Sequence, residues 1–145
     1  MDKRVEKKQK FSVSHYNESD FQSDGLRPHL QYRDLGITAA TNGAFVATVN
    51  RTLFTGAKAG WHRHDVDFHM VYVLKGWVKM GFDGEGDHTF RAGSCWLQPP
   101  NINHLVYDYS EDLEVMEIIS PADFATVDMP PADTTKRSSS AEPSA

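Results

Sequence analysis

Short runs of strand-forming residues follow one another from Ala44 to Ile119, and this succession constrains the fold more than any other feature. Gly, Asn, Asp and Pro separate the runs, and no long pattern with the 3.6-residue period of a helix interrupts them. Such spacing is typical of a β sandwich or barrel, and a double-sheet jelly roll fits it. The sequence therefore predicts an all-β protein. The predicted runs are AFVATVNRTLF, GWHRH, HMVYVL, WVKMGF, HTF, SCWLQ, HLVYDY and LEVMEII, with a possible earlier strand at Leu30 to Tyr32.

The two ends of the chain differ in composition from the segment between them. Residues 1–10 are charged and residues 11–24 are irregular, so we expect residues 1–25 to form a flexible arm. Residues 121–145 are rich in Pro, Ser, Ala and Thr, and we expect a largely disordered tail there. The barrel then occupies residues 26–120, and a chain of 145 residues suits one such domain.

Charge and hydropathy exclude several classes of partner. The formal net charge is -5, so no basic patch is expected for nucleic acid. Apolar runs are far too short to span a membrane, and no apolar segment of a signal peptide follows the charged N-terminus. We expect a cytoplasmic protein without nucleic-acid or membrane partners. The single cysteine, Cys95, excludes an internal disulfide and is expected to be a small buried side chain.

Three histidines lie close together between Gly56 and Gly76. His62 and His64 are two residues apart, so an extended strand directs both side chains to the same face. A turn at residues 65–67 would bring His69 back on a following strand, and the three imidazoles could converge from two neighbouring strands. Imidazole is the commonest metal ligand and suits Zn, Cu, Fe and Ni. By itself, however, a His-x-His pair is more often solvated or hydrogen-bonded.

This stretch resembles the first motif of the cupin family, which is a glycine, five residues, His-x-His, three or four residues, a glutamate, six residues and a glycine. Gly56, His62, His64 and Gly76 match with the correct gaps. His69 stands where the family usually has its glutamate. The substitution replaces one type of metal ligand by another.

A second motif of the same family is found in GSCWLQPPNINHLVYD. Gly93, Pro99 and His104 fall at the family's intervals, with Asn101 in place of a glycine and Asp108 in place of the final asparagine. Asn tolerates the positive φ that a turn glycine provides, so this change is mild. The two motifs cover roughly residues 43–120 in the expected order.

The resemblance implies a jelly-roll barrel with one divalent transition metal, which could be Fe, Mn, Ni, Cu or Zn. His62, His64, His69 and His104 are the implied ligands. Four neutral ligands favour anionic exogenous ligands, and an octahedral metal keeps two positions open. A metal-dependent enzyme of oxygenase type, acting on a small organic acid or an enolisable carbonyl compound, is the function favoured. Two alternatives stay open: a cupin that binds a small ligand without turnover, and an isomerase or lyase that uses the metal as a Lewis acid.

Both faces of the run HMVYVL are apolar, which indicates cover on each. One face would line the interior, where Trp96 and the strand of His104 are expected to form an apolar pocket. For the other face the resemblance to cupins favours a homodimer. We expect Met70, Tyr72 and Leu74 to meet the partner, with residues 11–32 adding a strand or strap.

Overall fold

The computed structural model describes residues 8–57 and 59–129, which contain two antiparallel sheets. A four-residue helix, α1, spans Ile37–Ala40, and a 3₁₀ turn spans Glu18–Asp20. No helix in these two ranges has the length and apolar content needed to cross a membrane. The strands are β1 (Leu30–Asp34), β2 (Val46–Thr52), β3 (His62–His64), β4 (Phe68–Lys75), β5 (Trp77–Phe82), β6 (Gly86–Arg91), β7 (Cys95–Leu97), β8 (His104–Tyr109), β9 (Glu114–Ser120) and β10 (Thr126–Asp128).

These strands form two sheets of five that face each other. The first has the order β1-β2-β9-β4-β7 and the second the order β10-β3-β8-β5-β6. All neighbouring strands are antiparallel. Most neighbours are not consecutive in sequence, so the chain passes repeatedly from one sheet to the other, as in a jelly roll. The prediction of an all-β, double-sheet barrel is confirmed.

Turn-forming residues end the strands where the sequence analysis placed them. Each of the eight predicted runs overlaps one strand, β2 to β9, and the possible strand at Leu30 to Tyr32 is the beginning of β1. Asn101 has a φ of 63°, which confirms that it adopts the backbone conformation of the glycine it replaces. Strand β10 lies beyond residue 120, the predicted end of the barrel, and pairs with β3. The second sheet therefore includes a strand from the segment predicted as tail.

The hydrophobic core fills the space between the sheets. Val71 and Val73 of the first sheet cluster with Val78, Met80 and Phe82 of the second, and each is at most 6% exposed. Full burial of one such side chain contributes about 1.5–3 kcal/mol. Strand β4 alternates between buried and more exposed residues, so one of its faces belongs to this core and to the interior of the barrel.

Residues 8–25 lie against the outside of the barrel. The Arg33 guanidinium donates hydrogen bonds to the backbone carbonyl of Ser14 at 3.1 Å and to its hydroxyl at 2.9 Å. Gln22 and Tyr32 exchange two backbone hydrogen bonds of 2.8 Å, so the end of this segment extends the edge of the first sheet. The flexibility predicted for residues 1–25 stays a prediction.

Several large apolar side chains are exposed on the first sheet and on the segment beside it. On the segment, Phe11 is 94% exposed. Cys95 was expected to be buried, and this was wrong: β7 is an edge strand, and Cys95 lies opposite Tyr72 on its outer face. We call the apolar part of this face the outer apolar face, and it comprises Phe68, Met70, Tyr72, Leu74 and Leu97.

Gly76 and Gly84 have similar backbone conformations but different surroundings, so alanine substitutions at the two positions distinguish backbone strain from steric overlap. Gly76 and Gly84 have φ of 74° and 82°, but a Cβ on Gly76 would lie 2.9 Å from Leu113 Cα and against Ser110 Oγ, whereas one on Gly84 would meet nothing within 4 Å. We expect Gly84→Ala to lower the free energy of unfolding by about 1–2 kcal/mol. Gly76→Ala should lower the free energy of unfolding by roughly 1–3 kcal/mol more than Gly84→Ala, because the loop that contains Ser110 and Leu113 must shift. Urea unfolding of both variants measures this, and equal losses would contradict the packing described here.

Candidate metal centre

A cavity of about 260 Å³ lies between the two sheets. Most of its wall is aliphatic or aromatic, and it includes Trp96 and Val106, which confirms the predicted apolar pocket. Among the described residues that line it, Arg27 is the single Lys or Arg and Glu117 the single carboxylate. Such a cavity can enclose a small organic molecule and orient it by a few polar groups. The imidazoles in the wall are those of His29, His62, His64, His69 and His104.

Three of the predicted ligands come together in this wall. His62 lies directly opposite His104 in the pairing of β3 with β8, and His64 follows on the same face of β3 as predicted. One ring nitrogen from each of the three lies within 4.8 Å of the others. All three side chains are buried, at 7% exposure or less. We call His62, His64 and His104 the three-histidine group.

Backbone carbonyls orient two rings of the group. His62 Nδ1 lies 2.7 Å from the Gly60 carbonyl oxygen, and His104 Nδ1 lies 2.9 Å from that of Ile102. A carbonyl oxygen can only accept, so each Nδ1 carries a hydrogen, and in the neutral ring the lone pair is on Nε2. This is the arrangement that metal-binding histidines usually have, with one nitrogen donating and the other free to coordinate.

The third ring of the group is held by the strand beyond the predicted barrel. His64 Nδ1 lies 2.9 Å from the Thr126 hydroxyl, and the two residues are paired between β3 and β10. The hydroxyl accepts from Nδ1–H when the free lone pair of the ring is on Nε2. Residues past position 120 thus help to build the site.

Burial keeps the three-histidine group neutral. It lowers the pKa of His104 to about 3 and that of His64 to about 4, with the neighbouring histidines adding to the shift. The pKa of His62 is also lowered, mainly by burial. A neutral imidazole is the form that binds a metal, so the group is ready to coordinate at pH 7 without releasing protons.

His69 lies beside the three-histidine group, on the opposite sheet. The expectation that His62, His64 and His69 come from neighbouring strands was wrong, because the chain passes from the second sheet to the first between β3 and β4. The ring of His69 is 5.4 Å from that of His64, measured between centroids. Neither of its nitrogens has a hydrogen-bond partner in the part of the chain that the structure describes, although His69 is only 3% exposed. Its Nε2 is 3.7 Å from Glu117 Oε1.

Glu117 is a polar residue of the site that the motifs do not include. Its place between the buried Val115 and Ile119 on β9 puts it on the inner face. Burial raises the pKa of Glu117, but His69, His64 and the Asn50 amide outweigh it, so the pKa is lowered overall. The carboxylate is therefore ionised within the cavity.

Gln98 was also missed. Its side chain is 4% exposed, its oxygen accepts a hydrogen bond from Trp96 Nε1 at 2.9 Å, and its nitrogen lies 3.3 Å from His104 Nε2. It stands two residues after Trp96, so the alternation of the strand would have directed it inward. The residue type alone carries no metal-site signal, since a glutamine is usually a surface residue.

The fold and the site define a jelly-roll barrel with a histidine-lined internal cavity. The family model described as the cupin domain matches residues 51–119, which contain every member of the three-histidine group. The chain thus matches the cupin domain over the strands that carry the site, and it has the cupin jelly-roll fold. No curated protein sequence matches it.

Solved structures with the same fold have varied descriptions. KdgF from Halomonas sp. is 22% identical with a TM-score of 0.62, and the match covers 76% of this chain and 94% of that chain. The polyketide cyclase RemF from Streptomyces resistomycificus is 16% identical with a TM-score of 0.64, covering 89% and 94%. Salicylate 1,2-dioxygenase from Pseudoaminobacter salicylatoxidans is 10% identical with a TM-score of 0.56, covering 70% and 29%. Identities this low show the fold alone.

The lowered histidine pKa values predict how the stability of the metal-free protein depends on pH. In the unfolded chain these histidines take up protons below their ordinary pKa of 6.5, whereas His64 and His104 stay neutral in the folded state down to about 4 and 3. Unfolding then binds protons, so the free energy of unfolding falls as pH decreases from 6.5 toward 4.5, by up to roughly 1.4 kcal/mol per pH unit for each histidine.

Urea unfolding after chelation, at several pH values, measures this slope. In the variant His104→Asn, the change in the free energy of unfolding per pH unit should be smaller by the contribution of about one histidine. The same slope in the variant and the native protein would contradict the assignment of a depressed pKa to His104.

Proposed function

We propose that this protein is a metal-dependent enzyme of oxygenase type, in which His62, His64 and His104 hold one divalent transition metal. The observation that carries the proposal is the three-histidine group, with ring nitrogens within 4.8 Å of one another in a buried wall. The three rings are neutral, and both nitrogens of the neighbouring His69 are buried without a hydrogen-bond partner among the described residues. A cation held by these imidazoles would give the His69 ring a partner. The residues thus fit a bound metal, and their donor type suits Fe, Ni, Cu or Zn and also allows Mn.

His69 fits the role of fourth ligand. It is a buried imidazole with no hydrogen-bond partner among the described residues, next to the three-histidine group. One of its nitrogens would coordinate the metal, while Glu117, at 3.7 Å from Nε2, would accept the hydrogen of the other. In this arrangement Glu117 supplies, behind the imidazole, the negative charge that a glutamate ligand brings directly in most cupins. The proposed site then differs from the common cupin pattern because its negative charge lies behind a ligand, on Glu117, and not on a ligand itself.

The surroundings of the site support chemistry on a small organic acid or an enolisable carbonyl compound. The cavity is apolar, so it would exclude much of the water around a bound substrate. A redox-active metal such as Fe(II) supplies dioxygen activation at positions that the protein leaves open. A dioxygenase is among the proteins with this fold.

One observation favours a second candidate function, lyase or isomerase chemistry with the metal as a Lewis acid. Glu117 is an ionised carboxylate whose side chain is 27% accessible and lines the cavity, so it could accept a proton from a substrate. A requirement for dioxygen separates the two candidates. Binding without turnover would show neither product nor oxygen uptake.

We expect the native protein to bind about one equivalent of metal, and His62→Ala and His104→Ala to reduce its affinity at least roughly 10-fold. The barrel should remain folded, because the core cluster between the sheets consists of apolar side chains and does not include these rings. His15→Ala is the matched control, since His15 is exposed on the N-terminal segment. Elemental analysis and circular dichroism measure occupancy and fold.

The same proteins test the reaction. Fe(II)-loaded native protein and His15→Ala should consume oxygen with one or more small carbonyl or phenolic acids, and His104→Ala should not. Full metal occupancy in both cavity variants would contradict the ligand assignment. Product formation without oxygen uptake would favour the lyase or isomerase.

We also propose that the protein is a homodimer formed through the outer apolar face. Tyr72, Leu74 and Leu97 are 36%, 44% and 59% exposed on this face, and a contiguous apolar patch of this kind is usually covered in a protein. Phe11 and Val13, at 94% and 57% exposure, lie on the segment that already follows the outside of the same sheet. That segment could continue onto a second copy as a strap.

We expect light scattering of the full-length protein at micromolar concentration to report twice the chain mass. Leu97→Glu places a charge in the outer apolar face and should shift the protein to the monomer. Val127→Glu is the matched control, because Val127 is 37% exposed on β10 of the other sheet, and it should leave the mass unchanged. A monomeric native protein would contradict the dimer, and a dimeric Leu97→Glu would contradict its location.

A further inference from the structure

One cationic side chain in the cavity has no partner. Arg27 lines the cavity, and its Nη2 is buried without a hydrogen bond. No described residue accepts a hydrogen bond from its guanidinium. The Arg27 backbone N–H donates to the Tyr32 hydroxyl at 2.9 Å. Leaving a buried charged donor unpaired destabilises a protein, and arginine usually avoids this by extending to water. Here one donor of the guanidinium, Nη2, is buried in the cavity wall instead.

The loop around Arg27 keeps it in this position. Leu30 N–H donates to the Arg27 carbonyl at 3.2 Å, which closes a turn, and the Arg27 N–H is held by Tyr32. Gly25 packs directly on the Tyr32 ring, where a Cβ would overlap the ring atoms. Contacts before and after Arg27 in the sequence therefore hold the backbone at this position.

The cavity wall carries one charge of each sign. Arg27 comes from the loop before β1, and Glu117 lies on β9 with its Oε1 3.7 Å from His69 Nε2. No ion pair joins Arg27 to Glu117 among the described residues, and Arg27 Nη2 has no hydrogen-bond acceptor there. Arg27 therefore attracts an anionic ligand, and Glu117 repels one.

We propose that Arg27 binds the carboxylate of the substrate, and that the site is selective for monocarboxylates with an apolar body. A guanidinium binds a carboxylate through two parallel hydrogen bonds, so it fixes orientation as well as charge. The carboxylate would face Arg27, and the rest of the molecule would extend along the apolar wall toward the histidines and Glu117. The substrate class rests on the proposed function, but recognition of the carboxylate by Arg27 requires no metal.

Benzoate and benzamide test this recognition, because they share a shape and differ in charge. Calorimetric titration uses the full-length protein after chelation of metal, and again after loading with Zn(II). We expect metal-free native protein to bind benzoate roughly 10- to 100-fold more tightly than benzamide, the range that a charge-assisted hydrogen bond provides. Arg27→Gln should bind the two equally. Arg27→Lys should keep part of the preference, because it retains the charge and loses the paired geometry.

Arg91→Gln is the matched control, since Arg91 is exposed on β6 and outside the cavity wall. It should keep the native preference for benzoate. Thermal unfolding of Arg27→Gln adds a readout: removing an unpaired buried charge should leave the melting temperature unchanged or raise it. A clear decrease would assign Arg27 a structural role and overturn the proposal.

Three further results would overturn it: no benzoate binding by native protein, equal binding of the two probes, or an unchanged preference in Arg27→Gln. If benzoate binds through the metal instead, the preference appears only in the Zn(II)-loaded protein and does not depend on Arg27. Failure of the proposed function would be seen separately, as absent metal occupancy or absent oxygen uptake. The metal-free comparison does not depend on either.

Discussion

The pairing of β3 with β8 through His62 and His104 is the contact on which the site depends. It places two imidazoles side by side on the inner face of the second sheet, with ring centroids 4.1 Å apart. Burial makes both rings neutral, and the carbonyls of Gly60 and Ile102 select the hydrogen on Nδ1. Neither effect would act on solvated histidines. The jelly roll thus converts two ordinary side chains into a pair of oriented donors.

Local sequence patterns predicted most of the fold. Alternation and turn residues located β1 to β9, because the strands are short and both their buried faces and their ends have clear chemical signals. The Cys95 expectation failed because Cys95 lies on the outer face of the first sheet, and local sequence does not show which face of a strand is covered. Strand β10 was missed for a related reason. Three residues in a Pro- and Ala-rich segment form a strand only because β3 offers them an edge.

Motif spacing found the histidines but not the residues that set their charge environment. Glu117, Gln98 and Arg27 reach the cavity from β9, from the residue after β7 and from the loop before β1. No local sequence separation relates them to His69 or His104, so only the tertiary fold brings them together. Alternation places Glu117 on the same face as Val115 and Ile119, but it does not show whether that face is the inner one. Its contact with His69 depends on the pairing of β4 with β9.

If the three-histidine group is a metal centre, X-ray absorption spectroscopy of the Zn(II)-loaded, full-length protein detects it most directly. We expect a first shell with three or four imidazole nitrogens at about 2.0–2.1 Å, together with the outer-shell scattering of the rings. One imidazole fewer is expected for His62→Ala. A shell of oxygens alone, or a spectrum that His62→Ala leaves unchanged, would contradict a metal centre at these histidines.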